Sequence, residues 1–274
     1  MSTQALQALI RLLNDPADAS VVTDPASWEL IQTHAGAYGV RSLAAFAARP
    51  FVSGEERAWC DRTLTANWRR YEQNLLHLEG ILALLEKAGI RALVLKGPLL
   101  ARRYYTPPFL RKSSGDLDLA IQEQDFDRAC EALLGIGYEA GQSLAEAKAC
   151  SHHFFLLHAS MARVELHFRL SHGASGIPVE EFFERAVPCE LPNGGTAWVL
   201  SGADELLHLV LHYAQHRFPM LFHLHELRHI WRVTPLAVQN EVVQKARRYH
   251  FVAALAMTDI AFRSTWGEPF LPPG

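Results

Sequence analysis

Residues 90–121 read IRALVLKGPLLARRYYTPPFLRKSSGDLDLAI, and this stretch decides the fold. Ile90 to Leu95 is a short apolar run with β-branched members, the pattern of a buried strand. Lys96-Gly97-Pro98 breaks it, and Leu99 to Tyr105 then fits a short helix closed by Pro107-Pro108. Gly115 to Ile121 alternates polar and apolar residues, which is the period of a strand. Successive side chains on a strand point to opposite faces. Asp116 and Asp118 therefore share one face, and Leu117, Leu119 and Ile121 turn to the other, into a core.

Downstream, Asp125 to Leu134 returns to helical spacing, and Phe154 to His158 and Arg163 to Leu170 read as two more strands. This order predicts an α+β fold, a mixed sheet with helices packed on it. From Val179 the chain is mostly helical, interrupted by the turn Pro192-Asn193-Gly194-Gly195 and a small strand at Trp198-Val199-Leu200. Ser201 reads as the N-cap of a helix over Ala203 to Arg217. Upstream, Asp24-Pro25 is a helix start, with Asp24 as N-cap and Pro25 at the first helical position. Gly54 to Lys87 is one long helical pattern, with Leu64, Trp68, Leu75, Leu78, Leu82 and Leu85 on one side. The expected organisation is an N-terminal helical region over 1–88, a core over 89–200 and a C-terminal helical region over 201–274.

Two carboxylates as close as Asp116 and Asp118 raise each other's pKa unless a positive charge lies between them. A divalent cation is the usual solution. Mg²⁺ takes hard oxygen ligands and keeps waters and substrate phosphates in its shell. Glu165 lies in a second alternating run, Arg163 to Phe168, where it shares a face with His167. A third carboxylate on a neighbouring strand would complete a two-metal site of the kind that clamps a phosphoryl displacement. Lys96 and Gly97 precede a helix start, where free N–H groups and a cation favour an anion. Arg111, Ser113 and Ser114 lead into the acidic strand. Arg111 is placed to neutralise a triphosphate or hold an aspartate, and the serines to donate hydrogen bonds. The bland alternative for this segment is a solvated loop.

Taken together, LVLKGPLLARRYY, RKSSGDLDLAI and VELHFRL resemble the bacterial uncharacterised nucleotidyltransferase family of the polymerase-beta-like superfamily. The superfamily pattern is a glycine-led turn into a helix, D-x-D on the next strand and a third acid on a later strand. Here these are Gly97, Asp116 with Asp118, and Glu165. Asp204 to His212 and Trp28 to Ala35 resemble the family's helical parts more loosely. The resemblance implies transfer of a nucleoside monophosphate from an NTP to an acceptor, with release of pyrophosphate. It implies Asp116, Asp118 and Glu165 as catalytic residues and as ligands of two Mg²⁺ or Mn²⁺ ions. It also implies Lys96, Gly97, Arg111, Ser113, Ser114 and His167 on the substrate side. One departure stands out, since the usual Gly-Ser is Gly97-Pro98 here. The phosphate-touching hydroxyl is missing there, which leaves Lys96 or Ser113 as substitutes, or an altered or lost activity.

Fourteen histidines are present, and His208, His212 and His216 fall four apart on one helical stripe. A histidine-rich zinc hydrolase is thus one rival reading, although no H-E-x-x-H motif accompanies the stripe. The bland reading is packing, or the lining of an acceptor pocket. A second rival is an inactive descendant that binds a nucleotide or a protein. The formal net charge of −3 argues against a long nucleic acid as partner, while leaving room for a local basic patch. No segment has the apolar length of a membrane span. Cys60, Cys130, Cys150 and Cys189 lack C-x-x-C spacing and read as reduced thiols of a cytoplasmic protein. Trp28, Trp59, Trp68 and Tyr71 sit in helical patterns and read as core.

Overall fold

In the computed structural model the described residues are 3–16, 18, 20–141, 143, 151, 153–170, 177, 179–215 and 221–271. The helix-start signal at Asp24 is realised, because its side chain accepts the Ser27 N–H at 2.9 Å. The N-terminal helices are α1 Thr3–Asn14, α2 Ser20–Thr23, α3 Pro25–His34 and α4 Arg41–Ala48. The long pattern forms a single helix, α5 Gly54–Lys87. Then come β1 Ala92–Val94, α6 Pro98–Tyr104, β2 Asp116–Ile121 and α7 Phe126–Leu134. The strands β3 Glu139–Ala140, β4 His153–Leu157 and β5 Arg163–His167 follow. The chain continues through α8 Val179–Glu184, β6 Val187–Glu190, β7 Thr196–Val199, α9 Gly202–Gln215, α10 Leu221–Val233, α11 Leu236–Arg248 and α12 Val252–Trp266.

The strands form one mixed sheet in the order β3-β4-β5-β2-β1-β7-β6. β1 is antiparallel to β2 and parallel to β7, so it is a central strand, consistent with its uninterrupted apolar sequence. β2 and β5 are parallel, in a register that sets Asp118 directly beside Glu165 and Ala120 beside His167. The alternation along β2 sorts its side chains into two different cores. Leu117, Leu119 and Ile121 pack with α5 and α7, through Leu78, Leu85, Phe126 and Leu133. Ala120, with Leu93 of β1, joins a second apolar cluster that contains α9 and α10. That same cluster includes Leu9, Leu12 and Ile31, so the N-terminal and C-terminal helices share one core.

The acidic face of β2 is therefore covered rather than presented at an open edge. Asp118 is 3% exposed and His167 4%. Among the aromatics read as core, Trp28 and Tyr71 are buried, but Trp68 is 46% exposed. Trp68 borders a surface groove beside Phe46. Cys60 and Cys130 are buried. His152, Cys150, His216 and Arg217 lie outside the described residues. No helix among the described residues is long and apolar enough to cross a membrane.

Candidate active site

β1 delivers Lys96 to the acidic strand, because the Leu95 N–H donates to the Asp118 carbonyl at 3.0 Å and carries the pairing one residue past the strand end. Lys96 is 9% exposed, and its Nζ lies 3.0 Å from Asp118 Oδ1. His167 Nε2 is 3.1 Å from the same oxygen and 3.9 Å from Glu165 Oε2. Burial works against ionisation of Asp118, but the charge of Lys96 and the His167 contact outweigh it. The carboxyl is held well below the usual range.

Glu165 behaves in the opposite way. Burial, then the neighbouring Asp118 and Asp116 charges, raise its carboxyl above the ordinary value. Arg163 relieves part of that strain, since one Nη2 lies 2.8 Å from Asp116 Oδ2 and 2.9 Å from Glu165 Oε1. Ligand atoms of Asp118, Glu165 and His167 all lie within 4.8 Å of one another, the reach of a single metal ion. This donor set, two carboxylates and an imidazole, fits a divalent cation that accepts oxygen and nitrogen. Asp116 is outside the group and turned toward Arg163.

The loop before β2 is held from α5. Asn67 Nδ2 donates to the Arg111 carbonyl at 3.0 Å, and Asn67 Oδ1 accepts the Ser113 N–H at 3.3 Å. Asn74 Nδ2 donates to the Ser114 carbonyl at 2.8 Å, and the Ser114 hydroxyl donates to the Asp116 carbonyl at 2.9 Å. Gly97, Ser113 and Ser114 border one small space between α5 and α6. Gly97 has φ +81°, and a Cβ there would meet nothing within 4 Å, so its backbone is open to close approach. Arg111 borders that space too, but its charge is committed to another partner. It is 6% exposed and grips Glu226 of α10 with both ends of its guanidinium, Nη2 lying 3.2 Å from Oε2.

Among the described residues, His208 and His212 of α9 join no three-ligand group of metal-binding reach. They instead cover the acidic face. His208 is 4% exposed, neither ring nitrogen has a hydrogen-bond partner, and its charge couples to Lys96, His167 and Asp118. Burial, then Lys96 and His167, push its pKa down to about 3. A histidine with an ordinary value of about 6.5 when unfolded stays neutral in this fold. Its contribution to stability is complete above pH 6.5 and is lost as pH falls toward 3. At pH 5 the loss is about 2 kcal/mol, set by the unfolded value alone. Urea titrations of wild type and His208→Leu at pH 7 and pH 5 test this. The variant is expected to lose about 2 kcal/mol less across that interval. Equal losses would show that this imidazole does not carry the acid sensitivity.

Arg163, Glu226 and Asn67 were not singled out from sequence. Arg163 had a signal, being two residues before Glu165 and so on the same strand face. Glu226 and Asn67 had none, because their partners are 115 and 46 residues away.

A D-x-D strand set beside an acidic strand, with a glycine turn feeding a short helix, defines a nucleotidyltransferase-type core. A family model described as "Uncharacterised nucleotidyltransferase" matches residues 27–261, and the chain belongs to that family. Among solved structures it is similar to the solution structure of antibiotic-resistance factor ANT(2'')-Ia, at 11% identity and a TM-score of 0.48. That match covers 65% of this chain and 93% of the other. It is also similar to the lincomycin-bound lincosamide antibiotic adenylyltransferase LnuA, at 13% identity and a TM-score of 0.41, covering 58% of this chain and 96% of the other. Among curated proteins no match is found.

Proposed function

We propose that this chain transfers a nucleoside monophosphate from an NTP to an acceptor hydroxyl or similar group. The observation that carries the reading is the parallel register of β2 and β5, which puts Asp118 and Glu165 side by side with His167 on one covered face. Asp118, Glu165 and His167 would hold a divalent ion, with Mg²⁺ or Mn²⁺ favoured by the two carboxylates. When bound, that ion supplies charge neutralisation for the phosphoryl group. Asp116 lies one same-face step away and would join on release from Arg163.

In the proposed step the acceptor oxygen forms a bond to the α-phosphorus, and the bond from that phosphorus to the bridging α–β oxygen breaks. Pyrophosphate leaves with the bridging oxygen. Glu165, set beside Asp118 by the strand register, would accept the acceptor's proton. Gly97 offers open backbone to the phosphates, and Lys96 is the cation next to Asp118. Arg163, 42% exposed, can turn from the carboxylates toward an incoming anion. Positioning and charge compensation carry most of the rate in such chemistry.

The test is thermal shift of the full chain with each of the four NTPs, with Mg²⁺ or with EDTA, for wild type and Asp118→Asn. Stabilisation by at least one NTP that requires Mg²⁺ and vanishes in the variant is expected. A nucleotide response that ignores both the metal and Asp118 would overturn the reading.

A further inference from the structure

α4, α5 and the loop before β2 enclose a cleft of about 590 Å³, lined in part by Arg41, Arg62, Arg70, Lys112, Ser113 and Trp59. Among the described residues, four cations line it and no carboxylate does. In a chain whose formal net charge is −3, that segregation sets the cleft apart from the rest of the surface. Arg62 and Arg70 are eight residues apart on α5 and fall on one stripe of the helix. Arg57, on the same helix, is by contrast neutralised by Asp61 at 3.6 Å. Among the described residues, no ion pair engages Arg41, Arg62, Arg70 or Lys112. The Arg41 guanidinium lies against Gly36, where a Cβ would come within 2.4 Å of Nη2, so a glycine makes room for this cation at the rim.

The cleft adjoins the small space beside Gly97. Lys112 and Ser113 line it and also line the small space over Gly97. Asn67, which lines the cleft, accepts the Ser113 N–H and fixes that loop to the helix bearing Arg62 and Arg70. The ring of Trp59 adds an apolar wall that would pack against whatever carries the charge.

We propose that this cleft binds a phosphate-type polyanion and is the anion subsite of the transfer reaction. The proposal deepens the nucleotidyltransferase reading by naming the chemistry of what is held beside Gly97. Exposed guanidinium groups with no competing carboxylate bind phosphate oxygens through paired N–H donors, and Lys112 adds a point charge. The bound phosphates belong either to the NTP tail or to a phosphorylated acceptor.

The experiment is calorimetric titration of the full chain with inorganic tripolyphosphate in EDTA at low salt. It compares wild type, Arg62→Glu/Arg70→Glu and Asp118→Asn, with circular dichroism verifying the fold. Wild type is expected to bind, the double variant to bind at least 10-fold more weakly, and Asp118→Asn to bind like wild type, with affinity falling as salt rises. Arg62→Gln/Arg70→Gln should give an intermediate loss. Repeating the titration with a Mg²⁺-loaded nucleotide analogue that cannot be cleaved between the α and β phosphates identifies the source. A parallel loss in the double variant assigns the cleft to the NTP tail, and undiminished nucleotide binding assigns it to an acceptor phosphate. Either outcome supports the cleft. No tripolyphosphate binding by wild type, equal affinity in the double variant, or loss only in Asp118→Asn would overturn it. Failure of the nucleotidyltransferase reading would look different, with tripolyphosphate bound normally and no Mg²⁺-dependent nucleotide response.

Discussion

Replacing Glu226 with alanine is expected to destabilise the fold by roughly 3–5 kcal/mol, a large share of the ~5–15 kcal/mol that holds a domain together. The reason is burial. Arg111 and Glu226 are 6% and 5% exposed at the side chain, and they meet through two parallel contacts. Removing the carboxylate leaves a guanidinium charge without water and without its partner. The Phe222 ring, 5.5 Å from the Arg111 guanidinium carbon, gives only partial compensation. Urea denaturation of Glu226→Ala, Glu226→Gln and Arg111→Met/Glu226→Leu checks the argument. The glutamine variant should lose less than alanine, because it keeps an oxygen acceptor. The double variant should recover most of the loss, since apolar side chains of similar volume carry no desolvation cost. A loss under 1 kcal/mol in Glu226→Ala would mean that water reaches Arg111 and that the pair is not sealed. The pair also bears on function. It ties α10 to the residue that opens the loop Lys112 to Gly115, so the C-terminal helices hold the entry to the acidic strand in place.

The sheet around the site was legible for a physical reason. A D-L-D-L alternation can satisfy only a strand with one apolar face, and β1 is too apolar to lie anywhere but inside. The long α5 was equally plain, because no proline falls between Gly54 and Lys87 and the lone internal glycine, Gly80, only weakens a helix. Where the reading failed, the missing information was long-range. β6 carries Pro188, which argues against a strand, yet β6 is the edge of the sheet and an edge tolerates a missing N–H. β3 is two exposed residues with no pattern to read. Trp68 follows the helical period but faces an open groove beside Phe46 and Phe109. The spacing of His208 and His212 was visible, but not that α9 would lay them over the acidic face. Spacing alone set Asp116 and Asp118 on one face of a strand. The pairing of Lys96 with Asp118, and of Arg163 with Asp116 as well as Glu165, follows from the register of β2 with β1 and β5.

Lys96 is where that register has its largest consequence. In the fold as described, Asp118 is compensated by the Lys96 ammonium and the His167 ring. The proposed ion would sit against the same carboxylate, so ion and lysine compete for one charge. Lys96→Met removes the built-in cation and leaves a carboxylate that is 3% exposed. Without divalent ions this variant is expected to lose roughly 3 kcal/mol of stability, the cost of breaking a buried pair softened by the remaining His167 contact. Millimolar Mg²⁺ or Mn²⁺ should return most of that loss, because a ligand that binds only the folded state stabilises it by mass action. Wild type, with Lys96 already in place, should respond little to the metal alone and more strongly when an NTP draws the lysine toward its phosphates. The measurement is denaturant unfolding of both proteins in EDTA, Mg²⁺ and Mn²⁺. A Lys96→Met protein equally unstable in all three conditions would show that Asp118 does not take a metal. It would remove the central residue of the proposed site. A variant as stable as wild type in EDTA would show instead that Asp118 is solvated or protonated once the lysine is gone, and that the buried pair does not shape the site.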